Sequence, residues 1–509
     1  MDFSTLWVPF EQSFVRLRDK TALTFLRGPR VESRLTYGML LDDTECMARY
    51  LSGLGVKKGN RVILFFPKSV LSVVIHLALL RMGAIGVPLN IGFRKSEMDY
   101  FVKDAEPSVI LTGTQESSLI AALGGNARSL ELDTDRTYEE TDFFRKGEGT
   151  AFLAPPSPDD PALIIYTSGT TGRPKGAVLT QKNLSCDARN IVDIWEIGEA
   201  DILCHALPLF HVHGLCFALH TALLAGAHVL LLDGFSPETV VDVLEKGDGT
   251  ERPTVFMAVP SMYSRLMDVL EKRGPDLRHM RLWTSGSAPL LPKDFQRIKD
   301  LVGQEPVERE GMSETGMNFS NPIQGVRKPG SIGLAMPGLD VRIVHPETLE
   351  DLPPGETGEI WLRGPAITPG YWRKPKETAK AFVDGWFRTG DMGNIDEDGY
   401  YYLTDRLKHI IISGGENISP KEVEAVINRV DGVKESAVVG VPDEQWGERV
   451  VAAVVSQPGA ALSPQTILSC CKEHLHRWKC PKEVLLIDSL PRNTMGKVLK
   501  KEVVRLFST

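Results

Sequence analysis

The sequence predicts an α/β protein with a parallel-sheet region first, a small barrel-like unit next, and a compact α+β unit at the C-terminus. Three observations carry that prediction. The first third alternates short continuous apolar runs with helical segments, and the pattern recurs after it; this is the βαβ rhythm of a parallel sheet covered by helices on both faces. Beyond Gly330 the texture changes to short strands between Gly/Pro turns (PGLDVRIV, TGEIWLRG, GYYYLTD), as in a small antiparallel or barrel-like unit. Near residue 406 it changes again, to strands and helices in a compact α+β pattern.

Taken in order, residues 61–66 (RVILFF) read as a buried strand, 69–82 as a helix stopped by Gly83, and 108–112 as a strand. Residues 162–166 form the next strand, followed by a Gly/Thr loop, a helix from about Gln181 and a strand at 201–206. A helix at 215–225, a strand at 228–232 and a helix at 237–246 repeat the theme. In the last unit Ser419, Pro420 and Glu422 supply an N-cap, a proline at N1 and a glutamate at N3 ahead of 423–430, a strong helix start. Strands at 436–441 and 449–456, a helix opened by Ser463 and Pro464, and a strand at 484–487 complete it.

The chain has 509 residues, 42% hydrophobic and 24% charged, an ordinary globular composition with room for about three domain-sized units. Lys plus Arg (58) against Asp plus Glu (66) leaves a net charge of −8. That balance gives no broad attraction for nucleic acid or anionic membrane, so an anionic ligand must be held by local devices. The longest apolar stretches, 70–80 and 215–232, are interrupted by Arg81 and by His220, Gly226 and His228, and fall short of a membrane span of about 20 residues. With no targeting segment and seven cysteines lacking a CxxC, the reading is a soluble cytoplasmic protein.

Residues 166–176 (YTSGTTGRPKG) hold five hydroxyl side chains, three glycines and one lysine. Glycines let backbone N–H groups turn towards an anion, hydroxyls add donors and the lysine adds charge, which is chemistry for a polyphosphate. The segment follows a strand and is expected to lead into a helix. Its Gly169, Gly172 and Lys175 spacing is not that of a Walker A loop.

YTSGTTGRPKGA resembles the signature loop of the adenylate-forming enzymes: acyl- and aryl-CoA synthetases, nonribosomal peptide adenylation domains and firefly luciferase. Seven further matches follow in order: PLFHVHG, SGSAPL, GMSET, GEIWLRGP, WFRTGD, DRLKHIIISGGENISP and PRNTMGK. The resemblance implies a large AMP-binding N-terminal domain, 1–405, of two parallel-sheet αβ subdomains plus the barrel-like unit. A small mobile C-terminal domain, 406–509, would hinge at about Lys408. It also implies an ATP-dependent acid–CoA ligase that forms an acyl-adenylate, then a coenzyme A thioester, in fatty acid metabolism. Mg²⁺, fixed donors and Lys are the apparatus such charge development needs.

By position in this sequence, the resemblance places Thr167, Ser168, Gly169, Thr170, Thr171 and Lys175 on the β- and γ-phosphates. It places Ser313 on the α-phosphate and Glu314 on Mg²⁺. Gly286, Ser287, Ala288 and Pro289 would line the adenine; Asp391, assisted by Arg406, would accept from the ribose hydroxyls. Glu310 departs from the pattern, because the family usually carries an aromatic there that stacks on adenine; either ATP binds less tightly or nearby Trp283 compensates. Lys497 would bridge the acid and the α-phosphate in the first step, and Gly414, Gly415, Trp446 and Lys482, with Lys479, would meet coenzyme A in the second. His211 matches the aromatic gate of the acyl pocket, and His409 stands where an acidic residue is common.

His211 and His213 share a face in the manner of some metal ligands, but no Cys or carboxylate at ligand spacing supports a metal there. The run from Cys470 through His474 and His476 to Cys480 fits no usual zinc spacing. The walls expected for the acyl pocket are 205–214, 257–263, 285–288 and 312–320. GMSETGMNFSNP at 311–322 resembles the malonyl-CoA synthetase branch. No arginine is assigned to a second carboxylate, so fatty, alicyclic and aryl monocarboxylates stay open. Two alternatives also stand: loading of a separate carrier-protein thiol, and an inactive nucleotide-binding relative.

Overall fold

The structure, a computed structural model, describes residues 5–123, 128–145, 155–167, 173–413, 416–443, 446–493 and 496–507. Ser168, Gly169, Thr170, Thr171, Gly414 and Gly415 lie outside the described residues. The chain divides into two compact units, 1–340 with 362–387, and 341–361 with 388–509.

The first unit is built on two sheets. One runs in the order Arg128–Leu132, Val109–Gly113, Arg61–Phe65, Ile85–Pro88, Pro161–Thr167, Lys175–Thr180. Its pairs are parallel until the last, which is antiparallel. The other runs Leu334–Ala335, Gly316–Ser320, Val307–Met312, Leu282–Ser285, Val255–Ala258, Ile202–His205, His228–Leu232, Thr21–Arg27, Arg30–Thr36. It is parallel at its centre and antiparallel at both edges. These are the two αβ subdomains expected. The helix Val70–Met82 is buried on every side except at Ser72 and Arg81, so it is an interior element rather than an amphipathic one. Reciprocal bonds between Ser69 and Ser72 start it, and Gly83 at φ +64° ends it.

The strands Gly358–Arg363 and Trp386–Ile395, most of whose residues fall in the second unit, and Tyr401–Arg406 belong to the short-stranded sheet expected beyond Gly330. A further sheet follows in the order Glu416–Ile418, Ile411–Ser413, Gly447–Ser456, Val433–Asp443, with Glu483–Ile487 parallel beside Gly447–Ser456. Pro420–Ile427 and Pro464–His474 bury Val423, Ile427, Ile467 and Cys471 on one face, and Val503 and Phe507 cover the other.

Three local expectations are corrected. The helix expected from about Gln181 is present as Gln181–Ile194, but a strand precedes it: the Gly/Thr segment joins the antiparallel strands Pro161–Thr167 and Lys175–Thr180. The run KGAVLT is short and fully apolar at its centre, a pattern that cannot separate strand from helix. The helix expected at 215–225 is a widened π-helix over His213–His220 followed by an α-helix over Thr221–Ala225; such turns concentrate at functional sites. Ser419 makes no side-chain cap. Its hydroxyl donates to the Thr404 carbonyl (3.2 Å), and Asp405 accepts from Lys421 N (3.2 Å) in its place. Among the described residues, no helix is long and apolar enough to cross a membrane.

Candidate active site

Ser313 and Glu314 occupy the tight turn between Val307–Met312 and Gly316–Ser320, and both are buried. Gly316 makes that turn possible: its φ is +73°, and a Cβ there would lie 2.7 Å from Asp187 Oδ1. The turn aims Glu314 at two segments far away in sequence. Its Oε1 accepts from Thr167 Oγ1 (3.2 Å) and from the Tyr371 hydroxyl (3.1 Å), while Thr368 N donates to its backbone carbonyl (2.7 Å). Lys175 faces Thr167 across the hairpin, with Nζ 5.1 Å from the centre of the Tyr371 ring. Thr167, Lys175 and Glu314, predicted separately, are thus brought together, and Tyr371 joins them. A carboxylate among hydroxyls is a hard-oxygen donor set that fits Mg²⁺. Ser313 lines a cavity of about 10 Å³, room for a single water, with Asp187, Cys216, Phe217 and Gly316.

Gly286, Ser287, Ala288 and Pro289 follow the strand Leu282–Ser285. Ser287 sits at φ +68°, with Oγ 3.3 Å from His213 Nδ1; a non-glycine residue in the left-handed region is a site of stored strain. Glu310 accepts from Asn318 Nδ2 (3.0 Å), so this position presents a hydrogen-bonded carboxylate where the family resemblance implies a ring. Trp283 does not compensate: it is buried in the core, edge-on to Phe256 at 5.8 Å. His211 is half-buried just ahead of the π-helix, its Nδ1 accepting from His213 N (3.3 Å).

The residue between Glu308 and Glu310 is the most unusual group in this unit. Arg309 is only 3% exposed, yet among the described residues none of its three guanidinium nitrogens has a hydrogen-bond partner. The guanidinium lies 5.2 Å from the centre of the Phe217 ring, and a Cβ on Gly286 would come within 2.7 Å of it. His213 Nε2 and Asn318 Oδ1 are also buried and unmet. Burial pushes Arg309 down to about 10, against the raising influence of Glu310 and Asp187. Burial likewise raises Asp187 to about 7, although Met317 N donates to its Oδ1 (2.8 Å).

In the second unit, Asp391 and Arg406 face each other across antiparallel strands, Arg406 Nε 2.7 Å from Asp391 Oδ1. Thr389 and Glu359 hold the turn before Asp391 by accepting from Asp391 N (3.0 Å) and Gly390 N (3.2 Å). Lys408 lies in the short 3₁₀ turn Leu407–His409, its amine lowered to about 8 by burial, then by Arg406 and Lys497. Beneath it Asp405 Oδ1 accepts from Arg406 N and lies 3.5 Å from His409 Nδ1. Lys497 closes a tight loop in which its N donates to Asn493 Oδ1 and its carbonyl accepts from Asn493 N, both at 2.9 Å. Trp446 and Lys482 are exposed. Lys479 is committed elsewhere, to Glu422 at 2.7 Å.

Residues 10–372 match the model of the AMP-binding enzyme family, and residues 422–497 match that of the AMP-binding enzyme C-terminal domain. The chain belongs to the AMP-binding enzyme family. This AMP-binding enzyme is 35% identical to an oxalate–CoA ligase of Arabidopsis thaliana, over 100% of this chain and 99% of the relative. It is 35% identical to a mitochondrial malonate–CoA ligase of Bos taurus, over 96% and 90%. The crystal structure of ATP-bound MatB from Rhodopseudomonas palustris superposes with a TM-score of 0.91 at 39% identity, covering 98% of this chain and 99% of that one. Sequence reasoning missed two residues of this AMP-binding enzyme's site. Tyr371 belongs to no recognisable motif. Arg309 had a usable signal: a charge in a strand flanked by strands on both sides must either reach an edge or find a partner.

Proposed function

We propose that this AMP-binding enzyme is an acid–CoA ligase working through an acyl-adenylate, and that its acid is a short dicarboxylate. In the first step a carboxylate oxygen bonds to the α-phosphorus of ATP as the bond to the β-phosphate oxygen breaks, releasing pyrophosphate. In the second, the coenzyme A sulfur bonds to the acyl carbon, AMP leaves, and the thiol proton passes to solvent. Thr167, Ser168, Gly169, Thr170, Thr171 and Lys175 hold the β- and γ-phosphates, and Ser313 the α-phosphate. Glu314 holds Mg²⁺, which when bound neutralises phosphate charge. Asp391 and Arg406 take the ribose; Gly286, Ser287, Ala288 and Pro289 take the adenine, with Glu310 offering a hydrogen-bond acceptor there. Lys497 carries the charge of the first step. A turn at Lys408 withdraws it and presents Gly414, Gly415, Trp446 and Lys482 to coenzyme A, while His211 gates the acid.

The observation that carries the substrate class is Arg309. A buried guanidinium with three unmet nitrogens is costly unless an anion completes it, and a carboxylate matches its fork. The relatives named for oxalate and malonate support the same reading. Seven free thiols support a reducing compartment; we place the enzyme in the cytoplasm, supplying acyl-CoA to fatty acid metabolism.

Carboxylate-dependent ATP–pyrophosphate exchange over a panel of acids, followed by trapping with coenzyme A or a carrier-protein thiol, tests this function. Exchange driven by oxalate, malonate or succinate and trapped by free coenzyme A is expected. No exchange with any acid would leave an inactive relative, and exclusive transfer to a carrier would reassign the second step.

A further inference from the structure

We propose that Asp104 is a positioning residue for the triphosphate, fixing both stems of the Gly/Thr loop and the Tyr371 segment from a single helix. The inference rests on the reading that this loop holds ATP and adds the device that sets its width. Asp104 lies near the end of the helix Lys95–Ala105, its side chain only 6% exposed, and both carboxylate oxygens are engaged. Oδ2 accepts from the Tyr166 hydroxyl at 2.8 Å, and Oδ1 takes the Lys374 ammonium. Tyr166 immediately precedes Thr167, and Lys374 lies three residues beyond Tyr371.

The same helix grips the other stem. Tyr100, one helical turn before Asp104 and on the same face, donates from its hydroxyl to the Pro174 carbonyl at 2.6 Å. Pro174 immediately precedes Lys175. Arg173 covers the Tyr100 ring at 5.5 Å, and the Phe101 and Tyr166 rings pack at 4.7 Å. Trp372 N donates to the Gly176 carbonyl at 2.7 Å, tying the Tyr371 segment to the returning strand. One face of one helix therefore sets where Thr167, Lys175 and Tyr371 stand relative to Glu314. No residue of that helix belongs to a motif of the family resemblance. Fixing donors before the charged ligand arrives avoids reorganisation when it binds.

The test measures MgATP and AMP binding by calorimetry and follows the two half-reactions separately in the full chain. Asp104→Asn is expected to weaken MgATP about tenfold, because a charge-assisted clamp is lost; Tyr166→Phe is expected to weaken it about fivefold. AMP affinity and thioester formation from supplied acyl-AMP, which involve no β- or γ-phosphate, should change less than about twofold in both variants. Lys374→Arg, which keeps the ion pair, should restore MgATP affinity relative to Lys374→Met. A lower melting temperature with unchanged MgATP affinity, or equal losses in both half-reactions, would make Asp104 a structural residue only. If Asp104→Asn does not fold, an unchanged MgATP affinity in Tyr166→Phe overturns the proposal by itself. Absence of MgATP binding by the unmodified protein would overturn the nucleotide reading and this inference with it.

Discussion

Two buried clusters within the first unit treat their polar groups in opposite ways. Around Glu314, the carboxylate already receives Thr167 and Tyr371, and the backbone on either side is tied down. Around Arg309, three guanidinium nitrogens, His213 Nε2 and Asn318 Oδ1 are buried without partners among the described residues. The described residues of the first cluster already bond one another, forming a framework that a ligand meets. The second is incomplete and costs stability until an anion arrives. On the proposed function, unmet buried polar atoms would mark substrate specificity, whereas the conspicuous motifs would mark chemistry shared by every substrate.

The largest effect is expected outside both clusters. Lys497→Ala should lower adenylation by at least about 10²-fold while sparing thioester formation from supplied acyl-AMP, as read in the two half-reactions. Equal loss of both would place Lys497 in the second step too, and would refute the turn at Lys408. Next comes Arg309→Met, which should lower kcat/KM for a diacid by about 10²-fold while leaving the monoacid of equal length unchanged. It should also raise the melting temperature of the ligand-free protein, since an orphan buried charge is replaced by apolar packing. A destabilised variant would mean that Arg309 is structural.

A smaller, pH-dependent effect sharpens the contrast from the neighbouring carboxylate. Asp187 is raised in the folded protein from 3.8 to about 7, so the native state holds a proton that the unfolded chain has released between those values. Stability from this group is full below pH 3.8, declines as pH rises, and is gone above about 7. Asp187→Asn should therefore match the wild type in acid and exceed it increasingly up to neutrality, then hold a constant advantage, as read in melting temperature against pH. The smallest effect belongs to the completed cluster. Tyr371→Phe removes one hydrogen bond to the Glu314 carboxylate and should lower kcat/KM for ATP by about tenfold, with KM for the acid unchanged.

Much of this arrangement was readable from the chain. The apolar runs at Arg61–Phe65 and His228–Leu232 announce buried parallel strands because helices leave them no solvent face. Ser69 and Gly83 mark the ends of a helix by capping chemistry that is local. The Thr167–Lys175 segment was found because its donor density is itself a signal, and Glu314 because GMSET resembles a motif of the family. Arg309 and Tyr371 were not, because each owes its role to surroundings assembled from distant segments: Phe217 and Gly286 for one, Glu314 and Lys175 for the other. Ser419 failed as a cap for the same reason, since Asp405 arrives from a preceding strand and takes the backbone donor. The π-turn at His213–His220 has the composition of any apolar helix, and periodicity over eight residues does not separate the two.

The central claim, that the Arg309 guanidinium takes a second carboxylate, is tested most directly by kcat/KM for malonate against propionate in the pyrophosphate-release reaction of the unmodified protein. The two acids differ by one terminal carboxylate in place of a methyl group. A preference for malonate of about 10²-fold or more is predicted, as expected for a buried charge pair. Equal use of the two acids, or a preference for propionate, would contradict it.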